Sequence, residues 1–69
     1  MHQYDPKSYV NDVKAAEIIG SKAQTLRNWR HLRKGPPYIK KGRMIRYRVQ
    51  DLYDYMSAGR IDPSLVENL

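Results

Sequence analysis

The 69-residue sequence contains no cysteine and no long apolar run. Without cysteine, neither a disulfide framework nor a thiolate metal site can form, which favours a reducing, cytoplasmic environment. No stretch approaches the roughly 20 apolar residues that span a bilayer, and the first residues lack the basic and then apolar layout of a secretory signal. We therefore expect a soluble, single-domain protein that is too small for a roomy catalytic pocket.

Acidic residues are absent from the middle of the chain. No Asp or Glu occurs between Ile18 and Gln50, whereas ten of the thirteen Lys and Arg residues lie between Lys22 and Arg48. The formal net charge is +6. A solvated basic face would explain scattered cations, but a one-signed stretch of this length favours a polyanionic partner such as nucleic acid.

Residue types that would support catalysis or metal binding do not converge in the sequence. The acids are confined to the flanks of the basic stretch, and the two histidines lie far apart. No nucleophile and base, pair of carboxylates or set of metal ligands therefore comes together there. The sequence predicts a protein that is not an enzyme and takes no cofactor, metal or small-molecule substrate.

Two short helices are predicted around Gly20. In "VNDVKAAEIIG", Asn11 suits the N-cap and Gly20 the end of a helix of about eight residues. Its apolar positions repeat at helical spacing, namely Val13, Ala16 and Ile19. Ser21 is predicted to start the next helix, with Gln24 as its capping-box partner. So short a turn is typical of a helix-turn-helix, whose second helix can enter a DNA major groove.

The second helix is predicted to have a packed side and a polar side. The packed side holds Ala23, Leu26, Trp29 and the stem of Arg30. The opposite side holds Gln24, Arg27, Asn28 and His31, with Thr25 on the flank. Trp29 is favoured as a core anchor over a base-stacking platform, because it shares the side of Leu26. Gly35 is predicted to cap the helix before Pro36 and Pro37.

A β-hairpin and a third helix follow. In "YIKKGRMIRYR", two short strands surround Lys41 and Gly42. On the second strand, Ile45 and Tyr47 are predicted on the packed face. The solvent-exposed face is predicted to carry Met44, Arg46 and Arg48. A helix over about 49–58 should pack a stripe of Val49, Leu52, Tyr55 and Met56, and end at Gly59.

We expect a polar lead-in over residues 1–8, the domain over 9–59 and a tail over 60–69. Asp62 and Pro63 can start a short helix in that tail, with an apolar side formed by Leu65, Val66 and Leu69. Fraying of the tail is the alternative.

From Val10 to Met56 the chain resembles the MerR-like excisionase family, which includes phage excisionases and AlpA-type regulators. The resemblance is carried by "KAAEIIGSKAQTLRNW" and by "GPPYIKKGRMIRYRVQDLYDYM". It implies a small, mostly helical α+β fold, the winged helix-turn-helix, with a two-stranded hairpin as the wing and a third helix. It also implies that the second helix reads the major groove of double-stranded DNA while the wing lies along or in the adjacent minor groove.

Carried over position by position, the resemblance implies two sets of DNA-contacting residues. The recognition-helix set is Ser21, Lys22, Gln24, Thr25, Arg27 and Asn28, to which the same polar side adds His31. The wing set is Lys40, Lys41, Arg43 and Arg46. Gln24 and Asn28 suit adenine edges, and Arg27 suits guanine or phosphate. Two alternatives stay open: Arg27 can instead form a surface salt bridge, and Arg46 can pair with Asp51 or Asp54.

Three classes of function fit these observations. The first is a sequence-specific DNA binder, either an excisionase that acts with an integrase through several copies on DNA or a small transcriptional regulator. The second is an RNA-binding protein, which would need exposed aromatic residues for stacking. The third is a protein-interaction adaptor whose charge serves solubility, and its binding would be nearly independent of salt.

Overall fold

The two helices of the helix-turn-helix lie between the first and second strands of a small antiparallel sheet in chain order, and a third helix follows the last strand. The computed structural model describes residues 4–65. Its elements are β1 (Tyr9–Val10), α1 (Asp12–Ile19), α2 (Ala23–His31), β2 (Ile39–Lys41), β3 (Met44–Arg48), α3 (Val49–Ala58) and a 3-10 turn (Pro63–Leu65). The expected fold class, a small α+β winged helix-turn-helix, is confirmed. Within residues 4–65, no helix is long and apolar enough to cross a membrane.

Local capping chemistry sets the bounds of α1 as the sequence predicts. The Asn11 side chain accepts a hydrogen bond from the Lys14 backbone N–H at 2.9 Å, which satisfies one free donor of the first turn. Gly20 ends the helix in the left-handed region, at φ 74°. The Gly20 N–H donates to Glu17 and the Ser21 N–H to Ala16, which is the Schellman pattern.

The predicted capping box of Ser21 and Gln24 is wrong. The Ser21 backbone is already used to close α1, so α2 begins later, at Ala23, with Lys22 in the N-cap position. Lys22 makes no side-chain capping bond. Within the described residues, the buried Ser21 Oγ has no hydrogen-bond partner. The turn between the helices therefore comprises residues 20–22 rather than Gly20 and Ser21 alone.

The core lies where α1, α2, β3 and α3 meet. The buried apolar residues are Ala15, Ala16, Leu26, Tyr47, Val49 and Leu52. Val13 is 52% exposed, so its expected place in the packed stripe of α1 is wrong. At 100° per residue, Val13 lies about 110° from the midpoint of Ala15 and Ala16. The stripe on α3 is also shorter than predicted, because Tyr55 and Met56 are exposed.

The sheet has three strands in the order β1-β3-β2, one more than the predicted hairpin. β2 pairs antiparallel with β3 from Ile39↔Arg46 to Lys41↔Met44, which leaves Gly42 and Arg43 as the loop. Gly42 has φ 60°, the glycine conformation that starts a type II′ turn. β1 pairs with the other edge of β3 and has only two residues, too few to give a periodic signal in the sequence.

The residues before β1 help to begin α3. The Val49 N–H donates to the Ser8 carbonyl and the Gln50 N–H to the Pro6 carbonyl, each at 3.0 Å. These bonds satisfy two of the donors that a helix N-terminus leaves free. After α3, which Gly59 ends as predicted, the Asp62 carboxylate accepts from the Ser64 N–H at the start of the 3-10 turn. The expected apolar side of the tail lies outside the described side chains; it comprises Leu65, Val66 and Leu69.

α2 ends at His31, and the left-handed residue after it is Arg33, two residues before the predicted cap at Gly35. Arg33 adopts φ 58°, its N–H donates to Arg30, and the Lys34 N–H donates to Trp29. This is a second Schellman pattern, with arginine at the left-handed position where glycine is usual. A residue with a Cβ atom pays roughly 1–2 kcal/mol for that conformation.

Gly35 serves the packing of Trp29 instead. Gly35 has φ 92°, and a Cβ atom there would lie 2.8 Å from Trp29 Cε3. The chain therefore passes directly over the indole ring. Trp29 is half-buried, packs against the core cluster and lies 5.9 Å from the Tyr55 ring, which confirms its predicted role as a core anchor.

We expect Gly35→Ala to destabilise the protein by about 2–4 kcal/mol, because overpacking against Trp29 adds to the backbone strain. Gly20→Ala is the matched control, since Gly20 also has positive φ but a Cβ atom there would meet nothing within 4 Å. Gly20→Ala should lower the free energy of unfolding only through backbone strain, by about 1–2 kcal/mol. Urea unfolding monitored by tryptophan fluorescence measures both. Equal losses would show that Gly35 is not required by the indole contact.

Candidate nucleic-acid interface

The polar side of α2 presents most of the predicted recognition set to solvent. Four side chains fall within about 100° of one another around the helix and are exposed: Gln24, Arg27, Asn28 and His31. Lys22 is exposed at the helix N-terminus, and Thr25 is half-buried on the flank. Ser21 differs from the rest, because its hydroxyl is buried.

Two amides on this side are linked to each other. The Gln24 Nε2 donates to Asn28 Oδ1 at 3.2 Å, one helical turn apart. This bond uses one acceptor position of Asn28 and leaves its second acceptor position and its amide N–H groups available. Asn28 therefore retains both a donor and an acceptor for a base edge.

Arg27 is held by Asp12 across the helix-turn-helix. Arg27 Nε lies 2.9 Å from Asp12 Oδ2, and Arg27 Nη2 lies 3.5 Å from Asp12 Oδ1. The salt bridge left open by the sequence is thus present in the free protein. The hydrogen bond from Arg27 is the main cause of a lowered Asp12 pKa. A guanidinium has five N–H donors, so about three remain for another ligand.

Arg30 is a structural residue that fixes the orientation of α2. Its Nη1 donates to the Tyr47 hydroxyl at 2.8 Å, and its Nη2 lies 3.7 Å from Asp12 Oδ2. Its guanidinium also lies 5.7 Å from the centre of the Tyr38 ring. The sequence places the Arg30 stem on the packed side, as found, but gives no signal for these distant partners.

The wing carries cations on both faces and at its tip. Lys40, Lys41 and Arg43 are exposed, with Arg43 in the hairpin loop. Arg46 is half-buried, and its Nη1 donates to the Ile45 carbonyl at 2.8 Å. The acids considered as its partners are bonded elsewhere: Arg48 pairs with Asp51 at 2.8 Å, and Gln50 donates to Asp54.

Most cations of the basic stretch are not neutralised by ion pairs. Among residues 4–65, the ion pairs formed by that stretch involve Arg27, Arg30 and Arg48. The others lie at the start of α2, in the segment after it and on the wing: Lys22, Arg33, Lys34, Lys40, Lys41, Arg43 and Arg46. Cations without an ion-pair partner raise the positive potential around α2, the segment after it and the wing. In the same part of the chain, no group of three His, Asp or Glu residues is placed to hold a metal ion.

We expect Asp12→Asn to lower the free energy of unfolding by about 1 kcal/mol at pH 7, because the variant loses a partly exposed ion pair. The lowered pKa means that Asp12 contributes stability above its unfolded pKa of about 3.9, and that this is lost as pH falls through the folded pKa. The two proteins should therefore become equally stable in acid. Urea unfolding over a pH series measures this.

Glu17→Gln is the control on the same helix, because Glu17 pairs only with the exposed Lys14, three residues away, among the ion pairs described within residues 4–65. It should change stability less than Asp12→Asn. A difference between wild type and Asp12→Asn that persists unchanged in acid would contradict the role of the carboxylate charge.

The geometry agrees with a comparison against known families. Residues 13–61 match a family described as a helix-turn-helix domain, a range that includes α2, β2, β3 and α3. Among curated proteins, none matches the chain. The family match covers well over half of the sequence. The chain therefore belongs to the helix-turn-helix domain family and is a small DNA-binding protein.

Proposed function

We propose that the chain recognises specific sequences in double-stranded DNA as an excisionase-type architectural protein that acts with an integrase. The observation that carries this proposal is the exposed polar side of α2, held in place by Asp12 and Arg30 beside a cationic hairpin. The resemblance to phage excisionases supports the biological role. The site of action is then the cytoplasm, where bacterial or phage DNA lies.

In this proposal α2 enters the major groove with its N-terminal half foremost. Lys22 and the first backbone N–H groups, which no side chain caps, suit a phosphate at the groove edge. Gln24 and Asn28 suit adenine, which offers one acceptor and one donor in the major groove. Arg27 keeps its bond to Asp12 and uses its remaining N–H groups for guanine or phosphate. Thr25 and His31 contact the flanks, and Ser21 supports the turn.

The wing then follows the adjacent minor groove or its phosphates. Arg43, in the hairpin loop, is the residue best placed to enter a narrow minor groove, where the negative potential is enhanced. Lys40, Lys41 and Arg46 extend along the hairpin behind it. Their contacts with phosphate give affinity without reading sequence.

The small size of this interface supports a cooperative mode of action. One helix and one hairpin bury roughly 600–1,000 Å² on DNA, which is typical of a single recognition module. Several copies on adjacent sites, or contact with an integrase, would supply the remaining affinity and bend the duplex. A small transcriptional regulator, the alternative supported by the AlpA-type resemblance, would use the same contacts at a promoter.

The biological role is tested by selecting fragments of the source genome that the protein binds at about 150 mM salt, where weak phosphate-only binding is suppressed. We expect enrichment of repeated sites beside an integrase attachment sequence. Enrichment at a promoter would instead support the regulator. If no fragment is enriched, the proposal fails. Preference for an RNA hairpin would then identify the RNA-binding class, and a protein partner bound independently of salt would identify the adaptor class.

Base reading by α2 is tested with Asn28→Ala. We expect it to weaken binding to the selected site by about 1–3 kcal/mol, or roughly 5- to 150-fold, because a bidentate base contact is lost. Binding to a random duplex should hardly change. Titration of both duplexes, followed by fluorescence anisotropy, gives the comparison.

Gln50→Ala is the matched control for Asn28→Ala. Gln50 donates to Asp54 across one turn of α3, so the variant loses the same kind of side-chain bond on a different helix. It should bind both duplexes as the wild type does. If Asn28→Ala weakened both duplexes equally, Asn28 would not read a base.

A further inference from the structure

The segment between α2 and the wing forms a depression lined by residues 33–38, with a volume of about 480 Å³. Two of these residues, Arg33 and Lys34, are cations, and no acid lies among them. We propose that this depression seats one phosphate of the DNA backbone, with Arg33 as its principal ligand. The proposal rests on the DNA binding argued above and adds a contact outside α2 and the wing.

The backbone conformation of Arg33 favours a functional role for its side chain. Among residues 4–65, Arg33 is the one residue other than glycine with positive φ. Glycine at this position would end α2 in the same way without steric strain. A strained residue in a functional protein commonly marks a place where its side chain is needed. Arginine here offers a permanent charge and a fork of N–H donors that matches phosphate.

A structural role for the Arg33 charge has less support. Within residues 4–65, the ion pairs are formed by other cations, namely Lys14, Arg27, Arg30 and Arg48. A cation at the C-terminus of a helix also interacts favourably with the dipole, but Arg30 and His31 already lie in the last turn of α2. The exposed Arg33 guanidinium therefore has no assigned partner in the described structure.

Several residues that line the depression are restrained by the fold. Pro36 and Pro37 restrict the backbone on one side, and Pro36 is buried. The Tyr38 ring is held by the Arg30 guanidinium at 5.7 Å and by the Tyr47 ring at 6.0 Å. Gly35 is packed on Trp29. These restraints reduce the conformational entropy that the lining residues lose when a ligand binds.

The position of the segment in the fold points to the DNA backbone. The depression begins two residues after α2 and ends directly before β2. A sugar-phosphate strand separates the major groove from the adjacent minor groove. A chain that connects an element in one groove to an element in the other must cross that strand, which places residues 33–38 over a phosphate.

The experiment compares wild type with Arg33→Gln, Arg33→Gly and Arg33→Lys, using the selected DNA site and a random duplex between about 50 and 200 mM salt. We expect Arg33→Gln to bind both duplexes up to about tenfold more weakly and to lower the salt slope by about 0.9, the value for one phosphate. Arg33→Lys should keep most of the slope. Arg60→Gln, which removes the same charge after α3, should keep the wild-type slope.

Arg33→Gly separates binding from folding. It should lose affinity as Arg33→Gln does, while its melting temperature stays equal to that of the wild type or rises, because the backbone strain is relieved. If Arg33→Gln kept the wild-type salt slope and affinity, or lost no more affinity than Arg60→Gln, the phosphate site alone would be overturned. A wild-type protein that binds neither duplex would instead overturn the proposed function.

Discussion

The orientation of α2 depends on the Arg30 guanidinium, which joins three parts of the molecule. It donates to the Tyr47 hydroxyl on β3, pairs with Asp12 on α1 and lies over the Tyr38 ring before the wing. Tyr47 is only 1% exposed, so loss of Arg30 would leave its buried hydroxyl without this donor. A single side chain therefore links α2 to β3, to α1 and to the segment before the wing, which restrains the position of α2 relative to the hairpin.

Asp12 serves two arginines with different tasks. Arg30 and Asp12 are both largely shielded from water, with side chains 18% and 17% exposed, whereas Arg27 is 48% exposed. The same carboxylate thus stabilises a buried structural contact and restrains an outward-facing cation. Restraining Arg27 in the free protein reduces the side-chain entropy that a further contact through its remaining N–H groups would cost. The placement of Arg30 and that of Arg27 are therefore coupled through one acid on α1, outside the basic stretch.

Elements whose signals are local could be predicted from the sequence, and those that depend on distant or competing residues could not. α1 begins after Asn11 and ends at Gly20, and α3 ends at Gly59, as predicted, because each of these residues acts on its own neighbours. Ser21 suits an N-cap by residue type, but its N–H is already used to end α1. The Arg27–Asp12 pair joins residues 15 apart, and β1 is too short to show a pattern.

Two positions after α2 have positive φ for different reasons. At Gly35 the indole of Trp29 leaves no room for a Cβ atom, so glycine is required by the core. At Arg33 the side chain is exposed, and the left-handed conformation is carried by arginine although glycine would cost less. Steric exclusion explains the first choice and cannot explain the second. In the proposed function, Arg33 carries the functional demand on this segment, between α2 and the wing.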